Sequence, residues 1–360
     1  MSTGQEYLDK PVKVRANESP DMDKLRSYLA GKLVDAADDL QIEQFPGGYS
    51  NLTFLLRSGG REFVLRKPPF GANIRSAHDM GREFKVLSAL QPVYTAVPQP
   101  LLYCEDEEII GTPFYIMQRV KGVILRNRVP AGMSLDADTM RSISEAAVDN
   151  LAALHSIDLF STGLIHMGKP EGYIQRQVEG WVKRYFTAQT DVIMDMNATA
   201  EWLSGNMPAE TSPAFIHNDY KYDNLVLDPE NLSHILAVLD WEMATVGDPL
   251  MDLGTSLGYW AEPGDSEALK PFNLTWLEGN LDREQVLQRY KAKTGINTDD
   301  FLFYYVFGSF KIAVIVQQIY ARFKKGFTQD PRFASLIYVV RACAENAQKA
   351  IRYKRISNFY

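Results

Sequence analysis

The stretch from Phe215 to Gly254 constrains this chain more than any other. It reads F-I-H-N-D-Y-K-Y-D-N-L-V-L-D from Phe215 to Asp228 and resumes as V-L-D-W-E-M-A-T-V-G-D-P-L-M-D-L-G from Val238 to Gly254. An apolar strand runs into a polar loop holding His217, Asp219, Lys221 and Asn224. Two short apolar runs follow, Leu225 to Leu227 and Ile235 to Leu239, and the Asp228-Pro229-Glu230-Asn231 turn between them predicts a hairpin that returns Asp240 to the loop. Three oxygen donors, Asp219, Asn224 and Asp240, then converge at strand ends. Mg²⁺ prefers oxygen, takes one or two carboxylates and fills its shell with phosphate oxygens, so this inventory suits phosphoryl transfer. Asn224 and Asp240 are the expected metal ligands. Asp219 is the group expected to orient an accepting hydroxyl, and Lys221 a cation for charge growing on the transferred group.

The H-x-D-x-x-x-x-N loop, the hairpin and the D-W-E…G-D-P…D-L ending resemble the aminoglycoside phosphotransferase and choline kinase group of kinase-like enzymes. The likeness runs from Ile42 to Gly254 by motif order, and the C-terminal helices match in general character. It implies an α+β, protein-kinase-like two-lobed fold, with a small antiparallel-sheet N-terminal lobe and a mainly helical C-terminal lobe. It also implies ATP and Mg²⁺ as cofactors. By the same resemblance Asp219 is the catalytic aspartate, and Glu242 is an acidic neighbour that reaches a second ion or the substrate. His217 supports the loop backbone, and Asp252 is the helix-start aspartate that braces it.

Ahead of this segment the pattern predicts a helix capped by Asp21, then strands over 40–45, 52–57 and 61–67, a helix over 79–90, and strands over 101–104 and 113–120. The acidic run Glu105 to Glu108 reads as the turn between the last two strands. Lys121-Gly122 marks the break into helix-rich sequence, so the lobes are expected at 1–119 and 120–360. Gly47, Gly48, Ser50 and Asn51 lie between two strands, where glycine lets backbone approach phosphate. Their G-G-x-S-N-x-T-F pattern resembles the family's phosphate-covering loop. On the third strand Arg66 and Lys67 point to opposite faces, so only one of them looks into a nucleotide cleft. Val64 accompanies the first choice and Leu65 the second; the family pattern favours Arg66, with Glu83 on the next helix as its partner. Tyr115 to Gly122 resembles the hinge, with Met117 behind the adenine and the Gln118 carbonyl and Val120 amide bonding to it.

Composition narrows the partners. A net charge of −7 argues against a general nucleic-acid binder. The first residues carry no apolar run of the signal-peptide kind, and the apolar stretch over 301–320 contains Ser309, Lys311, Gln317 and Gln318, so it reads as a buried helix and not a membrane span. Two distant cysteines, Cys104 and Cys343, make no disulfide framework and suit a reducing cytoplasm. The partner expected is a small-molecule hydroxyl acceptor. The motif order also resembles the kinase-like domain joined in some proteins to an acyl-CoA dehydrogenase, which implies a hydroxyacyl-CoA or hydroxy acid; an aminoglycoside, amino-alcohol or homoserine-like acceptor is the alternative. Lys349, Arg352, Lys354 and Arg355 near the C-terminus favour an anionic acceptor, whereas Glu262, Asp265 and Glu267 would make an acidic pocket wall.

Overall fold

Alternation along one strand organises the N-terminal part of the chain. In this computed structural model, which describes residues 7–15, 17–33, 39–46, 51–69, 79–328 and 330–359, five strands form an antiparallel sheet in the order β1-β2-β3-β5-β4. They are β1 (Gln41–Gln44), β2 (Leu52–Ser58), β3 (Arg61–Lys67), β4 (Pro100–Cys104) and β5 (Phe114–Gln118). Directly opposed residues share a face of the pleat. The pairs Phe54↔Leu65 and Leu65↔Ile116 therefore put Phe54, Leu65 and Ile116 on one side, and Val64↔Met117 and Arg66↔Tyr115 put those four side chains on the other.

The first face is closed by α1 (Met22–Leu29) and α3 (Glu107–Ile110), whose Leu25, Leu29 and Ile110 join Phe54, Leu56, Phe63 and Phe114 in a buried cluster. Asp21 caps α1 by accepting from the N–H groups of Asp23 and Lys24. The acidic run expected as a turn instead starts α3, because Asp106 caps that helix and Gly111 ends it in the left-handed conformation. On the opposite face α2 (Met80–Leu90) lays Phe84 on Tyr103 and near Tyr115, with ring centroids 5.8 and 6.3 Å apart.

The chain divides into two compact units. Unit one comprises residues 1–123, 226–230 and 236–243; unit two comprises 124–225, 231–235 and 244–360. Unit one thus takes in two later segments that a single cut near residue 119 would leave out. Val123 bridges Leu227, and the Val238 N–H donates to the Ala96 carbonyl at 2.8 Å. Gly122 is required there, since a Cβ would run into the Leu227 carbonyl and the Val226 side chain.

Unit two holds α4 (Ala137–His155), α5 (Tyr173–Ala188), α6 (Met194–Gly205), α7 (Pro249–Tyr259), α8 (Arg283–Thr294), α9 (Leu302–Lys324) and α10 (Leu336–Tyr353). It also holds the antiparallel pair of β6 (Ala214–Ile216) with β9 (Thr245–Gly247). The chain crosses between the units in the two-stranded sheet of β7 (Leu225–Asp228) and β8 (Asn231–Val238). By length and apolarity α9 would pass as a membrane span, yet most of it is buried within the protein. Its Gly308 meets Gly254 of α7 so closely that a Cβ on either would strike the backbone of the facing helix. Gly308→Ala is therefore expected to force the helices apart and destabilise the protein by about 1–3 kcal/mol. A urea midpoint equal to that of the unsubstituted protein would contradict this tight crossing.

Candidate active site

The polar loop begins where β6 ends, and two buried charges hold its backbone. Asp252, in the first turn of α7, accepts the His217 and Asn218 N–H groups at 2.7 and 2.8 Å. Lys311 of α9 donates to the Asn218 carbonyl at 3.0 Å and to its side-chain oxygen at 3.2 Å. Between them Asn218 takes φ = 69°, a left-handed conformation that Asn tolerates better than most residues. Burial raises the Asp252 carboxyl pKa, but the His155 hydrogen bond and charge and the His217 N–H outweigh burial and bring it below its ordinary value. An ionised Asp252 can only accept, so His155 donates to it from Nε2 at 3.1 Å, while the other ring nitrogen, Nδ1, lies 2.7 Å from the Tyr290 hydroxyl. His217 is fully buried, and its Nδ1 accepts the Asp219 N–H at 3.2 Å, so it supports the backbone.

Three sequence-predicted side chains meet on this scaffold. Lys221 Nζ donates to both Asp219 oxygens, at 2.9 and 3.1 Å, and lies 4.7 Å from the Tyr259 ring centroid. The ammonium expected to face a transferred group is thus engaged with the carboxylate; two of its three N–H donors are used and one is left. Asn224 donates its amide to the Asp219 carbonyl at 2.8 Å and to its carboxylate at 3.0 Å. Both partners are acceptors, so the orientation of the amide follows from chemistry. Its Oδ1 is then the atom turned toward a ligand, and oxygen is what Mg²⁺ prefers.

In unit one the pleat decides between the two strand cations. Arg66 donates to Asp240 at 2.9 Å, pairs with Glu83 at 3.5 Å and lies 4.0 Å from Glu242. Burial opposes its charge, yet Glu83, Asp240 and Glu242 keep its pKa well above the ordinary value. Burial raises the Glu83 carboxyl pKa, and Arg66 only partly offsets it. Lys67 turns into the α1 side of the sheet, fully buried, with Nζ 3.4 Å from the Ile110 carbonyl. Of the carboxylates around this guanidinium, Asp240 and Glu242 are the partly exposed ones, at 33% and 20% of their side-chain surface. Asn51 joins them by donating to Glu242 at 2.8 Å. Among the described residues no three Asp, Glu, His or Cys side chains form a metal cage; a magnesium ion bound with a nucleotide takes most of its ligands from phosphate and water.

Gly47, Gly48 and Ser50 lie outside the described residues. Met117 is buried on the Arg66 face. Gln118 spends its N–H on the Gln99 carbonyl at 2.8 Å, and Val120 is half-buried. Sequence reasoning did not single out His155, Tyr290 or Tyr259, and it read Lys311 only as a polar interruption; they lie far along the chain from the loop, with no local motif to mark them.

Burial lowers the Lys311 pKa to about 8, against the ordinary 10.5. Below pH 8 both folded and unfolded chains hold this proton, and folding bears the full cost of a buried charge. Between pH 8 and 10.5 only the unfolded chain holds it, so this group makes stability rise with pH, on the order of 3 kcal/mol over the whole window. The urea midpoint of the unsubstituted protein should therefore rise relative to that of Lys311→Met as pH rises from 7 to 10. A gap independent of pH would contradict the buried ammonium.

Residues 41–287 match the family described as phosphotransferase enzyme family. The chain is 37% identical to the Gallus gallus protein named acyl-CoA dehydrogenase family member 11, over 92% of its own length and 44% of that relative's. It thus spans less than half of the curated relative. A Ralstonia eutropha structure described as a candidate aminoglycoside phosphotransferase is 32% identical, with TM-score 0.74 and coverage of 92% and 99%. Choline kinase from Cryptosporidium parvum, 12% identical over 93% and 98% of the two chains at TM-score 0.62, shares the kinase-like fold. With that family match covering more than half of its length, the chain belongs to the phosphotransferase enzyme family.

Proposed function

We propose that the protein transfers the γ-phosphoryl group of ATP, with Mg²⁺, to the hydroxyl of a small molecule, a hydroxyacyl-CoA or hydroxy acid. The observation that carries this reading is the Asp219 carboxylate gripped by Lys221 and Asn224. Asp219 accepts a hydrogen bond from the acceptor hydroxyl and holds its oxygen in line with phosphorus. As the new P–O bond forms, the bond to the β,γ-bridging oxygen of ATP breaks, the hydroxyl proton passes to Asp219, and ADP leaves. The remaining N–H of Lys221 meets charge on the transferred group. Asn224 and Asp240 would hold the magnesium ion, with Glu242 beside them, and the ion would neutralise phosphate charge. Arg66 bonds phosphate oxygens through its planar fork while Glu83 and Asp240 hold it. Met117, Gln118 and Val120 border the adenine, and Gly47, Gly48, Ser50 and Asn51 cover the phosphates.

Two observations support an anionic acceptor. Glu262 and Asp265, which would have formed an acidic wall, are buried and committed to Arg283, the former also accepting the Asn358 N–H at 2.9 Å. The relative named for acyl-CoA chemistry is the second. The C-terminal cations contribute less: Lys349 pairs with Glu345 at 2.9 Å, and Lys354 and Arg355 line a cleft that also contains Glu284 and Asp299.

Asp219→Asn should keep the fold and MgATP affinity while lowering turnover by roughly 10² to 10⁴. Unchanged turnover on an acceptor found by screening hydroxyacyl-CoA, hydroxy acid and aminoglycoside panels would remove Asp219 from the mechanism.

Calorimetry with and without Mg²⁺ separates the unit-one residues. Asp240→Ala and Arg66→Ala should each weaken MgATP binding about tenfold or more, the share of one charge-assisted contact. Lys67→Ala should act on stability instead. Equal MgATP affinity in Asp240→Ala and the unsubstituted protein would exclude the metal assignment.

A further inference from the structure

In unit two a cleft of about 470 Å³ opens between α5 and the C-terminal end of α9. Lys183 and Arg184 from α5, Arg322 from α9 and Lys325 just after it line the cleft, together with Phe327 and no carboxylate. Among the described residues none of the four cations makes a salt bridge. In a chain of net charge −7, four cations gathered around one concavity without a counter-ion form an unusual local field. The negative end of α9 accounts for Arg322 in its last turn. It does not account for Lys183 and Arg184, because α5 carries no basic residue in its own last turn.

The cleft also has internal structure. The Arg184 guanidinium lies over the Trp181 ring at 4.7 Å from its centroid. Gly180 lies directly beneath this side chain, where a Cβ would come within 3.1 Å of Arg184 Nη1 and make the guanidinium shift slightly. The same indole faces Lys311 Nζ at 5.7 Å, and that ammonium bonds the Asn218 carbonyl. One aromatic ring therefore separates the cationic cleft from the loop that carries Asp219.

We propose that this cleft is an anion subsite that takes a phosphate-bearing group of a small molecule. Guanidinium and ammonium groups supply charge-assisted hydrogen bonds to phosphate oxygens, and Phe327, 73% exposed at the rim, offers a ring face to an attached heterocycle. The phosphate belongs either to the acceptor itself, in which case the subsite deepens the phosphotransferase reading and rests on it, or to a separate phosphorylated effector.

The test is a calorimetric titration of adenosine 3′,5′-bisphosphate into the full chain, with the nucleotide site saturated by Mg²⁺ and a non-hydrolysable ATP analogue. The wild type should bind, with an affinity that falls as salt rises. Lys183→Glu combined with Arg322→Glu should weaken binding at least tenfold, while Lys183→Arg with Arg322→Lys retains it; circular dichroism and affinity for the ATP analogue should stay the same in all three. No binding to the wild type, or equal binding to the charge-reversed variant, overturns the proposal. The source follows from kinetics with a hydroxyacyl-CoA and the matching hydroxyacyl-pantetheine, which lacks phosphate. A KM raised by charge reversal for the first acceptor only identifies the acceptor's own phosphate. Turnover of both acceptors altered by the bisphosphate in the wild type alone identifies an effector. Failure of the ATP analogue to bind any of the proteins would reject the phosphotransferase reading and leave the cleft to be judged by the bisphosphate titration.

Discussion

The candidate site depends on a buried carboxylate that accepts two consecutive backbone N–H groups. Asp252 bonds His217 and Asn218, and Lys311 takes the next carbonyl, so the backbone just before Asp219 is gripped on both its donor and acceptor sides. The left-handed turn at Asn218 costs about 1–3 kcal/mol in a non-glycine residue and persists because its surroundings over-determine it. Those surroundings are expensive to assemble. Asp252 and Lys311 sit on α7 and α9, and they reach one short loop because Gly254 and Gly308 let those helices cross backbone to backbone. His155 completes the hydrogen bonding of the carboxylate and is itself held by the Tyr290 hydroxyl, so no oxygen of Asp252 is left to water.

Unit one solves a different electrostatic problem. Arg66 and Lys67 are adjacent cations in one strand, and both are buried. The pleat separates them. Lys67 enters an apolar cluster, and burial lowers its pKa. Arg66 is surrounded by Glu83, Asp240 and Glu242. Those carboxylates keep the guanidinium charged despite its burial.

In unit two, charges that look alike in sequence have different fates. Glu262 and Asp265 clasp Arg283, which also lies against the Tyr305 and Phe359 rings, and the group ties down the end of the chain through Ser357 and Asn358. Charges spent in this way cannot select a substrate. Lys183, Arg184, Arg322 and Lys325 are not spent in that manner, and they come from two helices nearly 140 residues apart in the chain.

How much of this was legible follows from the range of the forces involved. Local chemistry was readable: the cap at Asp21, the sheet strands from their alternation, and the loop whose spacing places Asp219, Lys221 and Asn224 within reach of one another across only six residues. The three-residue β9 and the four-residue α3 were not, because elements so short carry no period. Strand alternation made Arg66 and Lys67 mutually exclusive from sequence alone, but which one entered the apolar cluster depended on where α1 and α2 packed. By itself the sequence determined the family, the fold class and the short-range grouping of the loop, since these follow from spacing along the chain. Only the tertiary structure decided that Asp252, His155 and Lys311 would brace that loop, that Glu262 and Asp265 would be consumed internally, and that four cations would share a cleft. Each of those outcomes is a long-range electrostatic pairing, and no local pattern records which distant partner a buried charge will find.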